Sequence, residues 1–377
     1  MIVSSIIWIV FVVTIAYLIV IGMISYGWLK LSAGSAIYEH NDEVLVSIVV
    51  AVRNESTNIQ KLINQLINQN YDPNLYDLII VDDHSTDNTV EIVEQSIKDI
   101  SGKQIVVISA KGEGKKSALK EGIAKSSAKL IITTDGDCSI KTGWITSIVH
   151  QYNSSGQKII LGPVVYENEK SIIQKLFALD FVSLVAAGAG SVGIGLPLMG
   201  NGANLAFERE VFLSNEKSGK KFTSGDDVFL IHHVVAKYGS QSVGFLLNEE
   251  AIVSTNAPIG IKEFLKQRMR WASKATGYQL AWPIIVSLTV FLFNTILFLM
   301  LVGSLLYTWL LPIYILIIIT KFFIDMPLVF RFLTFSSKAN LKPLFFFMEF
   351  VYPIYIVLAA FSSFAFKFEW KGRGELK

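Results

Sequence analysis

The chain has 377 residues, 52% hydrophobic and 17% charged, where an average soluble domain carries about 25% charge. Its 33 basic and 31 acidic residues leave a net charge of +2. That balance excludes an acidic disordered chain and offers no electrostatic footprint for nucleic acid. A single cysteine excludes a disulfide scaffold and a multi-cysteine zinc site.

The apolar residues are concentrated rather than spread. Positions 6–28 carry no charge, and about 20 apolar residues suffice to cross the hydrocarbon of a bilayer. A cleaved signal peptide needs a basic start and a shorter apolar core. Nothing before Ile6 is basic, so residues 1–30 are expected to form an uncleaved transmembrane anchor.

Residues 31–281 read as a charged α/β domain inserted between membrane segments. Positions 44–52 form a β-branched run that ends in the polar Arg53-Asn54-Glu55. Ile59, Leu62, Ile63, Leu66 and Ile67 follow at helical spacing. Leu78-Ile79-Ile80-Val81 is a continuous apolar run, as a buried parallel strand requires, and it ends at Asp82-Asp83. Ser85 or Asp87 can cap the next helix, near Thr89. A third strand is expected over 105–109, a helix over 117–125, and a fourth strand over 130–134 that ends in Asp135-Gly136-Asp137. This alternation predicts a parallel sheet with crossover helices. Glu55, Asp82, Asp83, Asp135 and Asp137 then share the carboxyl edge of that sheet, where open α/β sheets bind ligands.

A further apolar stretch, 176–200, contains Asp180 and several glycines within motif-bearing sequence, and is expected to be a buried or interfacial segment rather than a span. Positions 282–330 carry only Lys321 and Asp325 and fit two spans, with a turn near Gly303, Ser304 or Thr308. Positions 344–366 form a third block that contains Glu349 and Pro353, so 282–366 is expected to hold two to three transmembrane helices. Residues 367–377 form a basic tail with Lys367, Lys371, Arg373 and Lys377. Basic flanks at Lys30 and Arg331 favour a cytoplasmic α/β domain. One span before the domain and three after it put the tail on the opposite side, which its charge opposes. A re-entrant third block broken near Pro353 would reconcile the two.

Asp135-x-Asp137 at a strand end can hold a hard divalent cation against substrate phosphates, since Mg²⁺ favours one or two carboxylates plus phosphate oxygens. In isolation such a pair is more often a solvated turn. The glycine-broken basic loop 111–116 lacks P-loop spacing. It offers Lys115 as a phosphate-facing cation, against the alternative of a solvated loop. Asp226-Asp227, ahead of an apolar helix, can supply a general base, a helix cap, or both. Gln267-Arg268-Met269-Arg270-Trp271 offers a phosphate fork at Arg270 and a flat face at Trp271, or a membrane-surface anchor. His232 and His233 read as helix-face residues with no metal, and Cys138 as a packing residue. Asp325 and Glu349 can contact an acceptor or lie at the interface.

Taken together, these elements resemble the membrane-bound branch of family 2 glycosyltransferases over 44–271. Arg53-Asn54-Glu55 is similar to the first nucleotide-contact loop. Val81-Asp82-Asp83-His84-Ser85-Thr86-Asp87 is similar to the uridine-contact motif, with His84 where the family has Gly or Asn. Asp135-Gly136-Asp137 matches the metal motif, and Gly200-Asn201-Gly202-Ala203-Asn204 the acceptor-side segment. Gly225-Asp226-Asp227 stands where the family has Thr-Glu-Asp, and Gln267-x-x-Arg270-Trp271 matches Gln-x-x-Arg-Trp.

The resemblance implies a GT-A fold and inverting transfer from a nucleotide-diphosphate sugar, a UDP-sugar by preference. Asp227 would be the base, and Asp226, one methylene shorter than the family's Glu, would bear on acceptor positioning. Asp135 and Asp137 would carry Mg²⁺ or Mn²⁺. Glu55, Asp82, Asp83, Lys115, Asp135, Gln267, Arg270 and Trp271 would bind the donor, with Trp271 also shaping the acceptor site. The implied setting is an integral protein of a bacterial inner membrane. Its acceptor is expected to be a membrane lipid or a glycan, and the tail Trp370-Lys371-Gly372-Arg373 is similar to that of single-transfer enzymes. Two alternatives stand beside this reading. One is a processive synthase of poly-N-acetylglucosamine, hyaluronan or chitin type. The other is a catalytically silent membrane scaffold, which would be expected to lose one of the acidic motifs.

Overall fold

A computed structural model describes residues 2–33, 43–98, 100, 104–214, 226–365, 369–370 and 373–374. In chain order, α1 (Ile2–Ala33) precedes β1 (Val46–Val52), α2 (Ile59–Ile67), β2 (Tyr76–Asp82), α3 (Thr89–Ile97), β3 (Gln104–Ser109), α4 (Lys115–Lys125) and β4 (Leu130–Asp135). There follow β5 (Cys138–Ser139), α5 (Trp144–Ser155), β6 (Ile159–Leu161), β7 (Val164–Glu167), α6 (Ile172–Gly193), β8 (Leu205–Glu208), α7 (Arg209–Leu213) and α8 (Asp226–Tyr238). The chain closes with β9 (Val243–Phe245), β10 (Val253–Asn256), α9 (Ile261–Ser273), α10 (Ala281–Gly303), α11 (Leu310–Phe335), α12 (Lys342–Ala365), β11 (Glu369–Trp370) and β12 (Arg373–Gly374).

The chain divides into two compact units, one of residues 31–168 and 199–256, the other of 1–30, 169–198 and 257–377. The expected inserted range 31–281 is thus shared between them.

In the first unit a seven-stranded sheet runs β3-β2-β1-β4-β8-β6-β9. Strands β3, β2, β1 and β4 are parallel, as the strand–helix alternation predicts. β1 is central, and its Val46, Ile48, Val49, Val50 and Val52 are all buried, which suits a β-branched run covered on both faces. β8 enters antiparallel between β4 and β6. A second sheet, β5-β10-β7, starts two residues beyond β4. Its β5 pairs Cys138 with Thr255 of β10. Helix α2 buries Ile59, Leu62, Ile63 and Leu66, the stripe expected from their spacing. His232 on α8 is wholly buried, with its ring 6.3 Å from that of Phe229, and not on an open helix face.

The second unit is helical. Among the described residues, five of its helices are long and apolar enough to cross a membrane: α1 over Ile7–Ala33, α6, α10, α11, and α12 with its preceding turn over Ala339–Phe361. The turn between α10 and α11 follows Gly303, whose carbonyl accepts from the Tyr307 N–H at 2.8 Å. α12 is continuous through Pro353, so the break expected of a re-entrant block does not occur there. Its apolar surroundings supply the packing that tolerates the lost backbone bond.

α6 differs from the other four. In its apolar window 72% of residues are buried, against 22–33% in the rest. This helix packs against α11 and α12 and meets α1 along a glycine seam. A Cβ on Gly27 would sit 1.9 Å from the Gly190 carbonyl oxygen, and one on Gly193 would sit 2.0 Å from that of Gly27. Only glycine lets two helix backbones touch in this way. A capping box opens α6, with Ser171 Oγ accepting from the Gln174 N–H at 3.2 Å.

The interior of this unit is not purely apolar. The Tyr17 ring stacks on Phe293 at 4.0 Å, and its hydroxyl donates to both Asp325 oxygens at 2.9 and 2.7 Å. Lys321 donates to Asp325 at 2.7 Å and also to Glu349. Asp325 and Glu349, expected at an acceptor or at the interface, are partners of Lys321 in a network that ties α1, α11 and α12 together. Of the tail motif, Trp370 and Arg373 pair across β11 and β12, while Lys371 and Gly372 lie outside the described residues.

Candidate active site

The carboxyl edge of the parallel strands gathers the acidic residues of the first unit. The loops after β1 and β2 are stitched together by side chains that carry no reaction chemistry. Arg53 donates from Nη1 to the carbonyls of Asp83 and His84 at 2.8 and 3.2 Å. Asn54 sits in the left-handed region at φ 54° and accepts from the Thr86 N–H at 2.8 Å. His84 is also left-handed at φ 56°. This explains why glycine or asparagine suits that position, since both enter this region readily. The Glu55 N–H donates to Thr89 Oγ1 at 2.8 Å. Asp87 accepts from the Ser56 N–H at 3.2 Å and the Thr89 N–H at 3.1 Å. Hydrogen bonds from Thr89 and Ser56 outweigh its desolvation and bring its carboxyl down to about 2.

Asp82 and Asp83 are both buried at the end of β2. Both Asp82 oxygens accept from the Ser85 N–H at 3.2 Å. Asp83 accepts from the Gly114 N–H at 2.8 Å, which pins the basic loop that precedes α4. Lys115, the first residue of α4, is aimed by this contact.

Asp135 ends β4 and forms an ion pair with Lys115. Burial by itself would lower the Lys115 pKa, but the carboxylate of Asp135, and then that of Asp227, outweigh it and raise the ammonium above its usual range. Asp227 therefore acts electrostatically on the same Nζ that Asp135 holds. Its own Oδ1 accepts from the Val228 N–H at 2.9 Å in the first turn of α8. Asp226 begins that helix, and Gly225 lies outside the described residues.

Gly136 is required by close approach. A Cβ there would sit 2.9 Å from Glu55 Cγ and 3.2 Å from Val52 Cγ1. The missing side chain is what brings Glu55 against the Asp135–Asp137 turn. Asp137 accepts from Thr255 Oγ1 at 3.1 Å, so β10 orients it. Cys138 is buried, and burial followed by the charges of Asp135 and Asp137 raises its thiol well above the usual range. It is a packing residue. Among the described residues no group of three or more His, Cys, Asp or Glu side chains is placed to hold a metal ion. Asp135 and Asp137 alone offer hard oxygens, so an ion there depends on ligands from elsewhere for most of its shell.

Some site neighbours escaped the sequence reading. Thr255 lies 118 positions from Asp137, and only strand pairing reveals it. The Gly202 carbonyl accepts from Thr133 Oγ1 at 2.8 Å, and a Cβ on Gly202 would lie 3.7 Å from Lys115 Nζ. Asn204, in the segment expected on the acceptor side, is buried and fully used inside the unit. Its amide donates to Pro163 and Ala251 carbonyls at 2.9 and 2.7 Å and accepts from Trp144 Nε1 at 3.0 Å. It braces the loop rather than facing a ligand.

Gln267, Arg270 and Trp271 belong to α9, in the helical unit. None of the three is fully buried, whereas the intervening Arg268 is.

The profile of Glycosyl transferase family 2 matches residues 47–177, and that of Glycosyl transferase family group 2 matches residues 130–366. The latter covers more than half of the chain, and the protein belongs to this family: it is a family 2 glycosyltransferase with a GT-A-like sheet and flanking apolar helices.

Among curated relatives, the glycosyltransferase AglE of Haloferax volcanii is 32% identical over 32% of this chain and 40% of its own length. The poly-β-1,6-N-acetyl-D-glucosamine synthase of Staphylococcus epidermidis is 25% identical over 68% of this chain and 62% of its own. The undecaprenyl-phosphate 4-deoxy-4-formamido-L-arabinose transferase of Yersinia pestis is 29% identical over 34% of this chain and 39% of its own. The chain thus spans less than two thirds of the length of each of these relatives. A mannosyltransferase of Pyrobaculum calidifontis, solved with GDP-Man and Mn²⁺, shares the fold with TM-score 0.58 and 15% identity, over 94% of this chain and 99% of that one.

Proposed function

We propose that the protein is an inverting glycosyltransferase that moves a sugar from a nucleotide-diphosphate donor, a UDP-sugar, to a membrane-associated lipid acceptor. The observation that carries this reading is the ion pair of Asp135 with Lys115 at the carboxyl edge of the sheet, beside the buried Asp82 and Asp83 and the Asp135–Asp137 turn. A lysine held by an exchangeable carboxylate at that edge is what a diphosphate-leaving reaction needs.

In this reading Asp82, Asp83 and Glu55 receive the nucleoside, and Lys115 turns from Asp135 toward the diphosphate. Asp227 takes the proton of the acceptor hydroxyl as its oxygen attacks the anomeric carbon. The bond from that carbon to the diphosphate breaks, and the nucleoside diphosphate departs with the electron pair. Inversion follows from attack opposite the leaving group. Asp135 and Asp137 would hold Mg²⁺ or Mn²⁺, which supplies charge neutralisation to the diphosphate. Arg270 and Gln267 serve the donor, Trp271 shapes the acceptor site, and Asp226 bears on acceptor position. The α/β unit lies on the cytoplasmic side, where nucleotide sugars are made.

The S. epidermidis polysaccharide synthase, matched over 68% of this chain, favours a second reading in which the acceptor is a growing glycan.

One experiment separates the two. The full chain in its host's lipid extract is given labelled UDP-glucose or UDP-N-acetylglucosamine, with and without EDTA. A single labelled species in the organic phase, lost with EDTA and reduced on the order of 10²–10⁴-fold in Asp227→Asn, is expected. A ladder of products establishes the polymerase instead. Full turnover in Asp227→Asn removes it as the base.

A further inference from the structure

Arg268 occupies an unassigned position inside the Gln267-x-x-Arg270-Trp271 segment. Its side chain is 6% exposed and is ion-paired with Asp180 of α6, which is 0% exposed. The hydroxyl of Tyr355 on α12 donates to Asp180 Oδ1 and fixes the carboxylate. The guanidinium lies 4.3 Å from the centre of the Trp271 ring and 4.8 Å from that of Phe264. Phe264 is in turn stacked on Phe177 at 4.1 Å with planes 7° apart, and Phe181 lies 5.8 Å from Trp271. All of these residues belong to the helical unit.

A buried ion pair is a poor stability device. Replacing one with apolar residues of similar volume is often neutral or stabilising. Nor does hydrogen bonding account for the arginine, because Nε and Nη1 meet no acceptor among the described residues. What the guanidinium does meet is two aromatic rings, over which its central carbon lies. A planar, weakly hydrated cation suits that contact better than the ammonium of lysine does.

We propose that Arg268 is a positioning residue that holds the Trp271 ring in one orientation, with Asp180 as its counter-ion, and thereby sets how well the enzyme engages its acceptor. This rests on the reading of Trp271 as an acceptor-site residue.

The test uses the full chain in nanodiscs of its host's lipid extract, with labelled UDP-glucose and UDP-N-acetylglucosamine as probes. Two quantities are measured. One is the ratio of label entering the organic phase to label released as free sugar. The other is acrylamide quenching of the Trp271 emission, obtained by subtracting the Trp271→Phe spectrum from that of each parent. Arg268→Lys keeps the ion pair and loses the planar stack. The triple variant Arg268→Met, Asp180→Leu, Tyr355→Phe removes the polar cluster without orphaning a group.

Both variants are expected to keep the wild-type melting temperature or exceed it. Both should expose Trp271 to acrylamide, and the transfer-to-hydrolysis ratio should fall on the order of 100-fold, as small misplacements do. Folded variants with wild-type quenching and ratio would overturn the proposal. If neither variant folds, Arg268 is a structural residue and the proposal also falls. If Trp271→Phe leaves the ratio unchanged while Arg268→Lys still alters quenching, it is the acceptor reading of Trp271 that fails, and the positioning of its ring stands.

Discussion

The two units each contain a lysine paired with a carboxylate, and the pairs have opposite characters. In the α/β unit the side chains of Lys115 and Asp135 are 30% and 34% exposed. In the helical unit those of Lys321 and Glu349 are 2% and 6% exposed. Water screens the first pair, so opening it costs little and either partner can turn to a ligand. The second is sealed, and removing one partner strands a charge in apolar surroundings. The same two residue types thus form a contact that can be exchanged in one region and a rivet in the other. Exposure, not chemistry, separates a candidate reaction site from a structural brace.

The comparison is broken most directly at the rivet. Lys321→Met should lower the stability of the helical unit by about 3–5 kcal/mol, read as a fall in the thermal midpoint in detergent. An unchanged midpoint would mean that Glu349 and Asp325 are not held by Lys321.

A smaller effect is expected from the buried ionisable group of the α/β unit. Burial takes the His232 pKa down to about 4 from 6.5. The fold therefore favours the neutral ring. Its contribution is complete above pH 6.5 and is lost as the pH falls toward 4, a change of about 3 kcal/mol. Urea titrations of the protein between pH 7.5 and 4.5 should show that loss, and His232→Leu should flatten it. A wild-type slope in the variant would place the titration elsewhere.

The smallest stability effect is predicted at the exchangeable pair. Lys115→Met should alter the unfolding free energy by no more than about 1 kcal/mol, while sugar transfer is lost. A large destabilisation would show that this pair, too, is a brace.

Much of the α/β unit was legible because its signals are local. β-branched runs, helical spacing and acidic residues at strand ends all lie within a few positions of one another. The edge carrying Asp82, Asp83, Asp135 and Asp137 followed from those runs alone. What was not legible depends on pairs distant in the chain. Thr255 behind Asp137, and Asn204 as a brace under Trp144, become visible only when β10 and β8 are in place. The apolar helices show the same limit from the other side. Composition marked these stretches, yet it does not distinguish a helix facing lipid from one facing protein. α6 is set apart by its glycines and by Asp180, and only their partners on α1 and α9 reveal what those residues are for. The tie of Asp325 and Glu349 to Lys321 is hidden for a similar reason, since the cation lies a helical turn from one and on a neighbouring helix from the other.

The glycine seam also bears on how the protein is made. Gly27 emerges from the ribosome on the order of 160 residues before Gly190, and at 5–20 residues per second that gap lasts roughly 8–30 s. Throughout it, α1 presents a bare backbone groove built for a neighbour that has not yet been synthesised. Assembly of the helical unit therefore has an early, half-finished stage, in which α1 is open to any other small-residue helix it meets.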